Sequence, residues 1–199
     1  MTTTAAKRAL TRADILDMAE YGKIRKERRA AMVVEKRRRR VPVGPFATFY
    51  FESYDTMWQQ VHEMLYIERG GEAQIADELA AYNPLVPNGQ ELVATLMFEI
   101  EDPERRDREL RGLTDVEQAI VLQIGSETVK AVPEGDLERT KADGKTSSVH
   151  FLHFPFTAAQ IAAFRDPAVP VMLGITHPNY GHMAVLGADT RAALASDFA

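Results

Sequence analysis

From residue 92 the hydrophobic period of the chain changes to two. Leu92, Ala94, Leu96, Phe98 and Ile100 alternate with Val93, Thr95, Met97, Glu99 and Glu101, the spacing at which successive side chains point to opposite faces of a strand. Ile120, Leu122 and Ile124 repeat the pattern, and Gly125-Ser126 reads as a two-residue hairpin turn into Val129 and Ala131. Further strands are expected at Phe46–Phe51, His150–Phe156, Val169–Thr176 and Met183–Leu186, with a polar loop over 133–148 that carries an Asp143-Gly144 turn signal. Before residue 92 the spacing is helical. One helix is expected from about Arg12 to Arg38, ended by Pro42 and Gly44-Pro45. A second starts near Asp55 with Met57, Val61 and Met64 as its stripe, and a third covers Glu72 to Tyr82. Thr157 caps a short helix, and another spans Thr190 to Asp197. Helices followed by hairpin-connected strands predict an α+β fold: N-terminal helices, then a mostly antiparallel β-sheet, with helices packed to one side. The expected organisation is a flexible tail at 1–10 and a single domain over 11–199, with a basic helical arm at about 12–40.

The chain has no cysteine, which excludes disulfides, thiol nucleophiles and thiolate metal sites. No apolar run approaches the roughly 18 residues that span a bilayer, and the N-terminus lacks the apolar core of a signal peptide. A cytoplasmic protein without membrane contact is expected.

Charge is distributed unevenly. Between Gly22 and Arg40 lie ten basic and two acidic residues, a net +8 that leaves −13 for the rest of a chain whose total is −5. Arg25, Arg28, Arg29, Lys36, Arg37, Arg38, Arg39 and Arg40 are the candidate anion-binding residues; at helical spacing they could follow a nucleic-acid backbone or another polyanion. The competing reading is a solvated helix, or one docked on the acidic body of the same chain. Replacing Arg37 to Arg40 by Ser is expected to leave the fold largely intact, as for a solvated run; collapse of the fold would show the run docked on the acidic body.

His150 and His177 fall in phase with apolar strand faces, His150 with Leu152, Phe154 and Phe156, and His177 with Val171, Leu173 and Ile175. His153 falls on the opposite face. Glu68, eleven residues after Met57, lies on the apolar stripe of its helix, with His62 and Glu63 to the other side. His150, His177 and Glu68 therefore form a candidate metal site of the two-histidine, one-carboxylate kind that suits a divalent ion such as iron. The competing reading keeps each histidine structural. His62-Glu63 lacks the second histidine of a zinc-protease motif, because position 66 is Tyr. Glu52 ends the aromatic strand and can hold the junction with the following helix. The turn-rich stretch 176–182 keeps Tyr180 and His182 in view beside His177.

The stretch from Phe49 to Glu68, the Lys36–Arg40 run and the Asp143–His150 segment together resemble a family of bacterial proteins of unknown function, over nearly the whole chain after the first ten residues. The resemblance implies genes near those of a rubrerythrin and a cysteine-rich iron–sulfur oxidoreductase, and so those two proteins as partners. It implies no catalytic residue. The resulting expectation is an accessory or partner-binding protein in a redox or peroxide-response pathway. The alternatives are a small enzyme or sensor built on the histidine and carboxylate site, and polyanion binding through the basic arm. A homo-oligomer is compatible with all three.

Overall fold

The period-two segments become strands, distributed over two antiparallel sheets instead of one. The computed structural model describes residues 7–135 and 144–199, so Asp143 and most of the loop before it lie outside the described residues. The first sheet contains β1 (Arg40–Val43), β2 (Ala47–Phe51), β3 (Glu91–Phe98), β6 (Val132–Pro133) and β7 (Val149–Pro155), in the order β1-β2-β3-β7-β6. The second contains β4 (Ile120–Ile124), β5 (Glu127–Lys130), β8 (Val171–His177) and β9 (Tyr180–Val185), in the order β5-β4-β8-β9. The expected Gly125-Ser126 turn joins β4 to β5. Only Ala131 separates β5 from β6, so this stretch passes from one sheet to the other.

The main core lies between the sheets. Leu92, Ala94, Leu96 and Phe98 of β3 face it, together with Leu152 and Phe154 of β7 and Leu122, Leu173 and Ile175 of the second sheet. Val93 and Phe151 point to the other face of the first sheet, into a smaller cluster with Met57, Val61, Leu65, Ile75 and Leu85. Thus β3 is covered on both faces, which is why Val93 and Thr95 are as buried as their neighbours. On the opposite side of the turn between β1 and β2, the Tyr180 hydroxyl donates to Val43 O at 2.8 Å and accepts from the amides of Phe46 and Ala47 at 3.1 and 3.0 Å. One buried side chain thereby ties β9 to a turn of the other sheet.

The helices are α1 (Met18–Arg38), α2 (Tyr54–Glu68), α3 (Glu72–Tyr82), α4 (Pro103–Arg111), α5 (Ala158–Arg165) and α6 (Ala188–Ala195). The first helix does not run from Arg12. Residues 12–14 form a separate 3-10 turn with a Thr11–Asp14 capping box, and the Asp17 carboxylate accepts from the Ala19 amide to start α1. Residues 7–10 of the expected tail are held in place: Leu10 is buried, and its amide and carbonyl bond the side chain of Asn83 at 2.7 and 2.9 Å. Helix α2 packs on the outer face of the first sheet, and α1 lies along α2. Helices α5 and α6 contribute Phe164 and Leu194 to the inter-sheet core. Among the described residues, no helix is long and apolar enough to cross a membrane.

Candidate functional site

The inward face of α1 is polar, which explains how a helix with only Tyr21 and Met32 buried is held. Arg25 forks onto Glu63 of α2 at 2.9 and 2.8 Å, and its guanidinium lies 4.7 Å from the centre of the Tyr66 ring. The Tyr21 hydroxyl donates to the same carboxylate at 2.7 Å. Hydrogen bonding from Arg25 is the main reason the Glu63 carboxyl sits below its usual range, with Tyr21 adding to it against the opposing effect of burial. Arg28 lies 4.7 Å from the centre of the Trp58 ring and 4.0 Å from Asp55. At the C-terminal end Arg38 faces Glu35 at 3.5 Å. Arg39 is buried against Asp197 and Glu35, and Arg40, the first residue of β1, reaches Glu99 at 3.2 Å. Much of the basic run is therefore docked on carboxylates of its own chain.

Other cations of the run are not bonded to carboxylates among the described residues. Lys26, Arg29, Lys36 and Arg37 are exposed and make no hydrogen bond or salt bridge among the described residues. Val33 and Val34 are each 61% exposed on the same helix, and Ile24 is 37% exposed. The two adjacent exposed valines form a small apolar patch among arginines and lysines.

The structure does not assemble the expected metal triad. Glu68 is exposed and bonded to the amide of Gln74 at 2.7 Å. Its phase on the wheel is that of Met57, but the last turn of α2 runs beyond the elements that bury the stripe. His62, expected on the side of the helix away from the apolar stripe, is fully buried. Its Nδ1 lies 2.7 Å from Trp58 O and its Nε2 accepts from the Leu16 amide at 3.0 Å, an arrangement of the neutral ring. Burial lowers its pKa further. Glu63 is half-buried on Arg25.

His150 does face the core, as its strand phase predicts, and is fully buried. Its Nε2 lies 2.9 Å from Ser147 O, and its Nδ1 lies 3.8 Å from a carboxylate oxygen of Glu117, a buried residue that the sequence pattern did not single out. His177 emerges at the end of β8, half-exposed. It donates from Nε2 to Thr114 O at 3.1 Å and accepts at Nδ1 from the Asn179 amide at 3.2 Å, which occupies both ring nitrogens with backbone. Among the described residues, no group of three or more histidines, aspartates or glutamates is placed to hold a metal ion. His153 points to the other side of β7, with Glu91 at 3.1 Å from Nδ1 and Glu134 at 2.7 Å from Nε2.

A solved protein of unknown function from Burkholderia pseudomallei has the same architecture: it is 38% identical, with a TM-score of 0.88 over 96% of this chain and 100% of that one. No curated protein matches the chain. Residues 9–198 match the family described as a protein of unknown function, DUF3501, and the chain belongs to that family.

Proposed function

We propose that this protein is an accessory factor that works by docking a protein partner on the outward face of α1. The observation that carries this reading is the division of the basic helix. Its inward cations are matched by Glu63, Asp55, Glu35 and Asp197, while Lys26, Arg29 and Arg37 remain beside Val33 and Val34 with no carboxylate bonded to them among the described residues. Arginine with aliphatic neighbours is what a protein interface uses to combine burial with charge recognition. The partner would present an acidic rim around an apolar centre. The family resemblance supports seeking it in a redox or peroxide-response setting, with the rubrerythrin and the iron–sulfur oxidoreductase as first choices. The metal-site reading draws no support from the positions of His150, His177 and Glu68 described above.

The test is co-elution of the purified chain with each of these two proteins at low salt. A complex should form with one of them and dissociate as salt rises, because exposed charges are screened. Val33→Glu with Val34→Glu should abolish it without loss of fold, since both side chains are exposed. No complex with either protein, or a complex indifferent to the two substitutions, would remove this reading. Binding to mixed-sequence DNA, lost in the Arg29→Ser, Arg37→Ser variant, would replace it with the polyanion reading.

A further inference from the structure

We propose that a cleft between the first sheet, the end of α1 and α2 binds a small zwitterion with an apolar body, of the class of the aromatic and aliphatic amino acids. The cleft has a volume of about 420 Å³; its lining includes Tyr50, Met57 and Phe151, and its polar members include Lys36, Glu52 and Gln60. Tyr50, Thr95 and Phe151 are neighbours in register across β2, β3 and β7, so they form one row on the outer face of the sheet. This size and this lining, mostly apolar with a few polar groups, are those of a small-molecule site.

Glu52 is the unusual member. It is nine-tenths buried, yet among the described residues it has no cationic partner. One carboxylate oxygen accepts from the Thr95 hydroxyl at 2.8 Å and the other from the Thr56 hydroxyl at 2.7 Å. The Thr56 contact also secures the strand–helix junction, as the Ser53 cap next to it requires. A carboxylate accepts about four hydrogen bonds, so roughly two positions are left. The two hydroxyl bonds satisfy part of its demand but bring no positive charge to the carboxylate itself, and a bound ammonium would supply one. Arg39 lines the same cleft but cannot serve a ligand, because all five of its N–H donors are already engaged by Glu35, Asp197, Glu52 O and Ala193 O.

Lys36 is the complement. It is exposed and makes no salt bridge or hydrogen bond among the described residues. A simple organic cation would meet Glu52 but be repelled by Lys36, and a simple anion would suffer the reverse. A molecule carrying both charges satisfies the pair, while Tyr50, Met57 and Phe151 receive its apolar body. A larger groove of about 570 Å³ near Arg12 lacks this feature, since its Arg12 and Glu72 are bonded to one another at 2.6 and 2.7 Å.

Calorimetric titration of the full chain with L-phenylalanine, 2-phenylethylamine and 3-phenylpropionate tests this assignment. L-Phenylalanine should bind at least about tenfold more tightly than either single-charge analogue, the scale of one charge-assisted hydrogen bond. Lys36→Met, a surface change that leaves the fold alone, should bring L-phenylalanine down to the level of the amine. Glu52→Gln should bring it down to that of the acid, in protein whose circular dichroism and melting match the wild type. Equal affinity for all three compounds, no binding of any at millimolar concentration, or insensitivity to Lys36→Met would each overturn the proposal. None of these outcomes depends on whether α1 docks a partner.

Discussion

The guanidinium of Arg39 forks onto the carboxylate of Asp197 at 2.7 and 2.9 Å, joining the end of α1 to the segment after α6 across 158 positions of sequence. Both side chains are buried, and the remaining Arg39 donors go to Glu35 at 2.7 Å and to the carbonyls of Glu52 and Ala193. Burial opposes the charge on each: it pushes the Asp197 carboxyl above its usual range, while for Arg39 the bonds to Asp197 and Glu35 outweigh it and hold the guanidinium protonated. The five satisfied donors make the ion pair the state in place.

Arg39→Met should therefore destabilise the protein by about 3–5 kcal/mol, because it leaves Asp197 buried without a partner. Arg37→Ser, two residues earlier and exposed, should stay within about 0.5 kcal/mol of wild type. Urea unfolding of the two variants checks the contrast. Equal midpoints would mean that the buried pair contributes nothing. The Lys36–Arg40 run is thus neither wholly solvated nor wholly docked, and its individual members separate the two descriptions.

Tyr180→Phe should cost about 1–3 kcal/mol, since it strands the buried amides of Phe46 and Ala47 and the carbonyl of Val43 without changing the packing of the ring. The loss should be local as well as global. Amide exchange at Phe46 and Ala47 should accelerate more than at Phe49, inside β2. Uniform acceleration would show that the hydroxyl does not specifically hold this seam.

Legibility followed periodicity. The alternation in β3, β4 and β7 placed Leu96, Leu122 and His150 on the core side, because a strand position is determined locally once its phase is known. Helix α4 escaped notice because its sequence from Pro103 to Arg111 is almost entirely charged and buries only Leu110. Its signal was chemical instead: Asp102 as cap, Pro103 in the first turn, and Asp107 four residues before Arg111. Glu68 and His177 had the correct phase but the wrong surroundings, since each lies where its element runs past the core. The partnership of Arg39 with Asp197, and of Glu52 with Thr95, depends on chain segments brought together only by the fold. No local pattern encodes such pairs.

Among the α2 carboxylates, Glu63 should write its partners into the pH dependence of stability. Glu63, bonded by Arg25 and Tyr21, has its pKa lowered in the folded state. A depressed carboxylate pKa contributes stability that is present above the unfolded value and lost as pH falls through the folded one. Glu63→Gln should thus lower the urea midpoint at pH 7 and lose that deficit in acid, as the wild type itself gives up the contribution. A deficit that persisted unchanged through the carboxylate range would assign the effect of the substitution to packing and not to charge.

His153 has the opposite sign. Hydrogen bonding to Glu91 raises its pKa most, and Glu134 adds to this on the other ring nitrogen, while burial works against both. With a carboxylate at each nitrogen, the doubly protonated ring can donate to both, and the neutral ring must leave one of them facing a lone pair. The native state therefore holds this proton more tightly than the unfolded chain does. Its contribution to stability is fully present below the unfolded histidine pKa and is lost as pH rises through the folded value. The advantage of the wild type over His153→Gln should be largest in mild acid and shrink above neutrality. The ring should titrate later than that of His62, whose pKa is lowered by burial. Following the ring carbon resonances of the two histidines by NMR measures this order directly. If His153 loses its proton before His62, the two carboxylates do not hold it, and the Glu91–His153–Glu134 contact is packing without charge.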